Sequence, residues 1–357
     1  MSFFSFTSKI IDSFMNENRK ILVTGGTGYI GSHTVVELMQ EGYDVHIIDN
    51  LSNSDETMID RIEAITGKRP QFTNLDIRDK DGLHAFFEVE SDFSGVIHFA
   101  ALKSVGESVN MPLAYYENNI LGLINILEVL KKHEIRNFVF SSSCTVYGVP
   151  KELPVTESCA IGFTPSPYGA TKQMSERILE DFSHANSLAN IISLRYFNPI
   201  GAHDSGLIGE LPTGIPNNLM PFITQTAAGI REKLSVFGSD YNTHDGTAIR
   251  DYIHVSDLAK AHVKALDFLT KESPSTHIKV NVGNGKGYSV LDVIHSFEKT
   301  SGIKIKYEMA DRREGDVESI YADPTYAEEF LGWKAKFDID DMTSSAWNWE
   351  KKLRNIS

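Results

Sequence analysis

Residues 20–49 read KILVTGGTGYIGSHTVVELMQEGYDVHIID. The first five are a short β-branched run that stops at Gly25-Gly26. Apolar residues then return at helical spacing, with Ile30, Val35, Leu38 and Met39 on one side, and Gly42 ends the helix. The run VHIID, 45–49, is a second strand. Strand, helix and strand within about 30 residues make a β-α-β unit. At the first strand–helix junction Gly25, Gly28 and Gly31 follow G-x-x-G-x-x-G, a variant of the dinucleotide fingerprint. The reasons are steric. One glycine makes the tight turn, one lets a pyrophosphate approach the backbone, and one lets the helix pack close to the strand. The helix N-terminus supplies free N–H donors for the phosphates. Asp49 lies 18 residues after Gly31, at the end of the second strand. A carboxylate there holds a ribose 2′-hydroxyl and repels a 2′-phosphate, so the pattern points to NAD rather than NADP.

Outward from this unit the alternation continues. Strands are expected at 71–75, 95–100, 137–142 and 191–197, and helices at 80–88, 113–133 and 166–184. Strands alternating with helices specify an α/β fold, a Rossmann-like doubly wound parallel sheet covered on both faces. Asp76-Ile77 follow the third strand, where either an adenine edge is read or a plain turn closes the strand. After Asn198 the rhythm breaks, and residues 198–221 carry four Pro and four Gly. Further elements are expected at 219–229, 234–237, 256–269, 279–282, 290–300 and 304–308. They suggest a smaller C-terminal α/β substrate lobe. The expected organisation is a tail, 1–19, an NAD-binding domain, 20–197, and a lobe, 198–357, that shares some elements with the first domain.

Composition bounds the function. Lys and Arg number 34 against 48 Asp and Glu, a net charge of −14 over 357 residues. A nucleic-acid backbone is repelled by such a chain, although a local basic patch can still grip a small phosphorylated ligand. Two cysteines, Cys144 and Cys159, make neither a disulfide framework nor a four-ligand zinc site. No metal is expected, and the usage fits a reducing cytoplasm. No apolar run approaches the roughly 20 residues that span a bilayer. The Phe-rich start is interrupted by Ser, Thr, Lys9 and Asp12 and lacks a small-residue cleavage site, so it reads as a short amphipathic tail. Met15 is a candidate natural start.

Chemistry is carried by Tyr168-Gly169-Ala170-Thr171-Lys172, a Y-x-x-x-K pattern near a helix start. Spacing of four puts Tyr168 and Lys172 on one helix face. A nearby ammonium favours phenolate and turns the tyrosine into a base usable near neutral pH. Ser141-Ser142-Ser143 closes a strand beside the nucleotide, where a hydroxyl can bond the oxygen that Tyr168 deprotonates.

These motifs resemble the extended short-chain dehydrogenase/reductase superfamily and, within it, the UDP-galactose 4-epimerases. The likeness runs from about residue 20 to about 349. It rests on VTGGTGYIGSHT (23–34), DNLSNS (49–54), HFAALKSVGESV (98–109), YYENN (115–119), FSSSCTVYG (140–148) and SPYGATK (166–172). Farther along come LRYFNPIGAH (194–203), GIPNNLMP (214–221), DGTAIRDYIHV (245–255) and RREGD (312–316). The resemblance implies interconversion of UDP-glucose and UDP-galactose with tightly held NAD. It makes Tyr168 the acid and base, with Lys172 tuning it and holding the nicotinamide ribose, both beside the cofactor, and Ser143 as hydroxyl partner. Tyr29, Ile30, Asp49, Asn50, Asn53, Asp76, Ile77, Phe99, Lys103, Asn118 and Phe197 then line the cofactor site. Asn198, Asn218, Leu219, Arg250, Arg313 and Asp316 hold the UDP-sugar, and Ile320 borders the hexose. Two arginines suit a diphosphate, which needs fixed planar donors. Related 4,6-dehydratases need an acidic pair just after the hydroxyl position, where this chain has Cys144 and Thr145. Another NAD-dependent nucleotide-sugar epimerase or reductase is the alternative. The family implies a homodimer, for which 113–133 and 166–184 are the candidate helices.

Overall fold

The central strands of the N-terminal half, Lys20–Thr24, Gly95–His98, Asn137–Ser143 and Asn190–Tyr196, are buried on both sides. The structure is a computed structural model that describes residues 19–272, 275–313 and 316–356. The expected tail and Met15 lie outside the described residues, Arg19 apart. The chain runs β1 (Lys20–Thr24), α1 (Tyr29–Gln40), β2 (Asp44–Asp49), α2 (Thr57–Thr66), β3 (Gln71–Asn74), α3 (Lys80–Val89) and β4 (Gly95–His98). Next come α4 (Val105–Asn110), α5 (Pro112–Tyr116), α6 (Gly122–Lys132), β5 (Asn137–Ser143), α7 (Pro167–Ala185) and β6 (Asn190–Tyr196). The rest is β7 (Asn198–Ile200), α8 (Leu219–Ala227), β8 (Leu234–Phe237), β9 (Ile249–His254), α9 (Val255–Glu272), β10 (His277–Val282) and β11 (Gly287–Ser289). It closes with α10 (Val290–Ser301), β12 (Tyr307–Ala310), β13 (Ser319–Ile320), α11 (Thr325–Leu331) and α12 (Ile339–Arg354).

Seven strands form one parallel sheet in the order β10-β6-β5-β4-β1-β2-β3. Leu38 of α1, Ile62 of α2 and Leu258 and Leu266 of α9 bury one face. Phe87 of α3, Ile126 of α6 and Leu179 of α7 bury the other. Although α9 and β10 follow residue 198 in sequence, they belong to this body, with Val280 opposite Leu194. The smaller sheet is built on β9, with β11 antiparallel and β7 and β13 parallel to it, and β8 and β12 form a separate parallel pair. Its core joins α8, α10 and α12, where Phe297 meets Trp347 edge to face at 5.7 Å.

The single helix expected at 113–133 is interrupted. A π-helical turn, Glu117–Leu121, separates α5 from α6. The extra residue turns Asn119 inward, where its amide donates to the Leu102 carbonyl and the Thr171 hydroxyl and its oxygen accepts the Leu102 N–H. Such π-turns recur at functional sites. The strand expected at 304–308 begins instead at Tyr307, because Ile305 leaves the extended run to enter the small core. No described helix is long and apolar enough to cross a membrane. Both cysteines are free.

Candidate active site

A parallel sheet delivers all its strand ends to one edge. Thr24, Asp49, His98, Ser143 and Tyr196 end β1, β2, β4, β5 and β6 there. The strand order reverses between β1 and β4, and the crevice at such a point is where doubly wound sheets bind ligands. The glycine turn lies over it. Gly25 is left-handed, with φ +72°, and a Cβ on it would sit 2.6 Å from the Ala100 nitrogen. A Cβ on Gly31 would sit 2.2 Å from the Gly25 oxygen. A Cβ on Gly28 would touch only that oxygen, at 3.2 Å, and otherwise face open space. Two glycines thus serve the fold, while the third keeps a cradle clear at the α1 N-terminus, where Gly28 is the cap. A pyrophosphate fits this cradle.

The other expected nucleotide-side residues divide in two. Asp49 accepts the Thr27 N–H at 3.2 Å and the Leu51 N–H at 2.9 Å, which folds the loop after β2 around its carboxylate. Asn50 donates to Asp76 at 3.0 Å, and the Arg78 guanidinium holds the Asp76 carboxyl down at about 2. Asn118 donates to Asn119 within the π-turn. The phenol of Tyr29 donates to the Gly201 carbonyl at 2.7 Å, and Lys103 reaches Glu210 at 3.3 Å. The exposed Asn53 accepts from Thr213 at 3.3 Å. Side chains of three others face apolar cores: Ile30 packs on the α1 side of the sheet, Ile77 lies under Gly122, and Phe99 meets the His262 ring at a tilt, 4.6 Å between centres. Phe197 is buried with Cys144 and Ile320 in a small cluster between the two bodies.

The Ser/Tyr/Lys set converges from two elements. Ser143 closes β5, and its oxygen accepts the Thr145 N–H at 3.2 Å. Ser166 caps α7 by accepting the Gly169 N–H, and Tyr168 stands in the first turn. Lys172 is buried, and its ammonium donates to the Ser141 carbonyl at 2.6 Å, 5.8 Å from the Tyr168 ring centre. Burial pulls Lys172 down to about 7, against the opposing pull of Glu176. Burial also pushes the Tyr168 phenol up to about 12, with Ser143 acting the other way. The expected lowering of Tyr168 by Lys172 is therefore absent. Desolvation dominates, and the ammonium is turned toward Ser141.

On the opposite wall, Arg250 bonds Asp316 at 2.9 Å, and the Arg313 guanidinium lies 4.0 Å over Phe237. Asn218 caps α8 and donates to Glu210 at 2.5 Å, Leu219 begins that helix, and Asn198 begins β7. Ile320 is 4% exposed and pairs with Arg250 across β13 and β9. Three residues here were not singled out from the sequence. Glu210 joins Lys103 to Asn218, Phe237 lies under Arg313, and Tyr241 keeps a buried hydroxyl without a hydrogen-bond partner among the described residues. Only Glu210 carried a signal, an acid eight residues before Asn218. His244, Asp245 and Asp292 also lie close enough to share an ion, but Asp245 serves Thr247 and Ser289 and Asp292 caps α10.

The sequence profile of the family described as GDP-mannose 4,6 dehydratase matches residues 22–346. A UDP-glucose 4-epimerase of Haemophilus influenzae is 52% identical over 331 residues, 93% of this chain and 97% of that protein. The crystal structure of a UDP-glucose 4-epimerase from Stenotrophomonas maltophila, with bound NAD and formylated UDP-arabinopyranose, superposes with TM-score 0.91 and 47% identity. It covers 95% of this chain and 100% of that one. One from Bifidobacterium longum in complex with NAD+ and UDP gives 0.90 and 48% over the same shares. Fold and site define a nucleotide-binding enzyme of the extended short-chain dehydrogenase/reductase class. Within it, the chain belongs to the UDP-glucose 4-epimerase family.

Proposed function

We propose that this enzyme interconverts UDP-glucose and UDP-galactose by transient oxidation at C4 of the hexose, using tightly held NAD, with Tyr168 as both acid and base. The observation that carries the reading is the meeting of Ser143, Tyr168 and buried Lys172 at the sheet edge beside the Gly28 cradle. NAD, which the Gly28 cradle and Asp49 would hold, would supply a two-electron acceptor and donor for hydride at C4. The chain's own work is proton transfer and grip. Tyr168 takes the 4-hydroxyl proton and later gives it back. A phenol at about 12 is a poor base at neutral pH, so turnover needs positive charge near its oxygen, from the Lys172 ammonium and the oxidised nicotinamide. Asp49 orients the adenosine ribose. Arg250, Arg313 and Asn218 hold the diphosphate and uridine while the hexose turns, so binding energy sits on the part that stays fixed. Cys144 and Thr145 offer no carboxylate after Ser143, which favours epimerisation over the dehydration that names the broader family.

Three further readings attach to this one. The chain is divided by role near residue 197 into an NAD-binding part and a mainly sugar-binding part, with α9 and β10 of the second completing the body of the first. It works as a cytoplasmic enzyme, which its two free cysteines suit. It is also a homodimer. Leu113 is 80% exposed and Phe163 87%, with Leu121, Ile124 and Met174 also exposed around α5 to α7, an apolar surface that a second copy would cover. A monomer mass at micromolar concentration in sedimentation would refute the dimer.

The test of the reaction is to supply UDP-galactose without added NAD. The purified enzyme should form UDP-glucose, and Tyr168→Phe should keep its NAD and lose about a hundredfold or more of kcat. Near-normal turnover by that variant removes Tyr168 from the mechanism. A need for stoichiometric NAD with release of an oxidised sugar refutes the epimerase reading.

A further inference from the structure

Beneath Ser143, Tyr168 and Lys172 lies a buried ion pair for which the reaction itself has no use. Glu176 stands one helical turn after Lys172 on α7, and Arg195 lies on β6; they are 6% and 4% exposed. Arg195 grips the carboxylate as a fork, Nε to Oε1 at 2.9 Å and Nη2 to Oε2 at 2.6 Å. A buried pair of this kind pays heavily in desolvation, and apolar residues of similar shape often stabilise a fold as well. Its reach is more informative. The Ser142 hydroxyl donates to Glu176 Oε1 at 2.6 Å, and Ser142 immediately precedes Ser143. Arg195 Nη1 donates to the Tyr147 phenol oxygen at 2.9 Å, and Tyr147 belongs to the turn Cys144–Tyr147 that immediately follows Ser143. Ser142 and Arg195 are also direct neighbours in the β5–β6 register. The backbone is therefore gripped on both sides of Ser143, and one arm of the grip belongs to the helix that carries Tyr168 and Lys172. Tyr147 passes the network on to Asn281 at 2.6 Å, whose amide holds the Val155 carbonyl at 2.9 Å.

We propose that Glu176 and Arg195 are positioning residues that fix the Ser143 hydroxyl against the Tyr168–Lys172 face of α7. The inference rests on the roles assigned above to those three groups. Geometry supplies the reason: a displacement of about 1 Å between reacting groups can cost about a hundredfold in rate. The pair also bears on the Lys172 proton. The titratable and charged groups facing Lys172 are His98 from β4 and Tyr168 and Glu176 on its own helix; Arg195 and, through it, Tyr147 stand behind Glu176, and Tyr196 and Cys144 beside Tyr168. Of these, Glu176 is the one that opposes the effect of burial on Lys172.

Ser142→Ala and Tyr147→Phe each cut one arm and leave the ion pair in place. Each should lower kcat on UDP-galactose by about three- to tenfold, with KM changed less than about twofold and NAD retained. The double variant Glu176→Gln with Arg195→Met removes both charges without stranding either one. It should lose about thirtyfold or more in kcat, and the alkaline limb of its kcat profile should move about one pH unit lower, because Lys172 gives up its proton more readily. A pair that only braces the fold predicts lower melting temperatures with wild-type kcat and pH profile. That result in NAD-loaded Ser142→Ala and Tyr147→Phe overturns the proposal, even if the double variant fails to fold. If these variants behave as wild type while Tyr168→Phe is inactive, the proposal fails and the reaction stands. If Tyr168→Phe is active, the catalytic assignment itself fails.

Discussion

Replacing Gly31 and Gly28 separately by alanine tests whether the glycine turn is read correctly. At Gly31 the added carbon meets backbone alone: the Gly25 oxygen at 2.2 Å, the Gly26 Cα at 2.9 Å and the Gly25 carbon at 3.0 Å. No flexible side chain can give way. The start of α1 must retreat from the turn by about 1 Å to restore contact distance, and overpacking of this severity costs about 3 kcal/mol. Alanine returns about 1 kcal/mol in helix propensity at this helical position. The net loss is about 2 kcal/mol, which for a chain this long is a fall in melting temperature of roughly 3 °C. NAD retention should fall as well, since the α1 N-terminus moves off the pyrophosphate. At Gly28 the backbone is ordinary for alanine, with φ −71°, and the one close atom, the Gly25 oxygen at 3.2 Å, needs to give by only a few tenths of an ångström. That variant should melt like wild type when stripped of nucleotide and still lose NAD, because its methyl fills the cradle. Calorimetry of the nucleotide-free proteins and NAD content after gel filtration decide the matter. A Gly31→Ala protein at least as stable as wild type and full of NAD, or a Gly28→Ala protein that retains NAD normally, refutes the division of labour.

Acid should unfold the protein well above the carboxylate range. Burial holds His33, His98 and His277 down at about 3 and His254 and His262 at about 4. A folded pKa below the unfolded value near 6.5 means stability that is full above about pH 6.5 and drains as pH falls toward the folded values. Each such histidine costs about 1.4 kcal/mol per unit below 6.5, so five together match a typical stability of about 10 kcal/mol near pH 5. Circular-dichroism melts from pH 7.5 to 4.5 check this, and a flat melting temperature down to 4.5 contradicts it. For sugar range, we propose that Ile320 leaves room for weaker activity on N-acetylated UDP-hexoses, and that Ile320→Tyr suppresses it by about tenfold relative to the plain sugars. The structure packs Ile320 against Cys144, Val146, Tyr147 and Phe197, so the tyrosine also carries an overpacking cost of about 1–3 kcal/mol. An unchanged ratio of kcat/KM between the two substrate pairs means that Ile320 is core packing and the gate lies elsewhere.

The sequence by itself determined what is local. A β-branched run, a glycine turn at fixed spacing and an apolar helical stripe are properties of neighbouring residues, so β1, α1 and β2 are legible, as is the placing of Tyr168 and Lys172 on one helix face. The central strands of the large sheet are nearly as legible, because burial on both faces enriches them in apolar residues, whereas β10 is visible as a strand but its place in this sheet is not. The smaller lobe is harder to read because its strands are two to six residues long and take their identity from a partner. β9 exists as a centre because β7, β11 and β13 reach it from 198–200, 287–289 and 319–320. Only that assembly sets Arg250 beside Asp316, 66 residues away. The π-turn within 113–133 is set by what Asn119 must reach in the loop after β4 and in α7, which no helical periodicity records. The proton states are likewise tertiary. Spacing put an ammonium near a phenol, but removal of water from both decided that Lys172 falls to about 7 and Tyr168 rises to about 12, while the ammonium turns to donate to the Ser141 carbonyl. Desolvation is the sum of every atom packed around a group, and that sum exists only once the chain has folded.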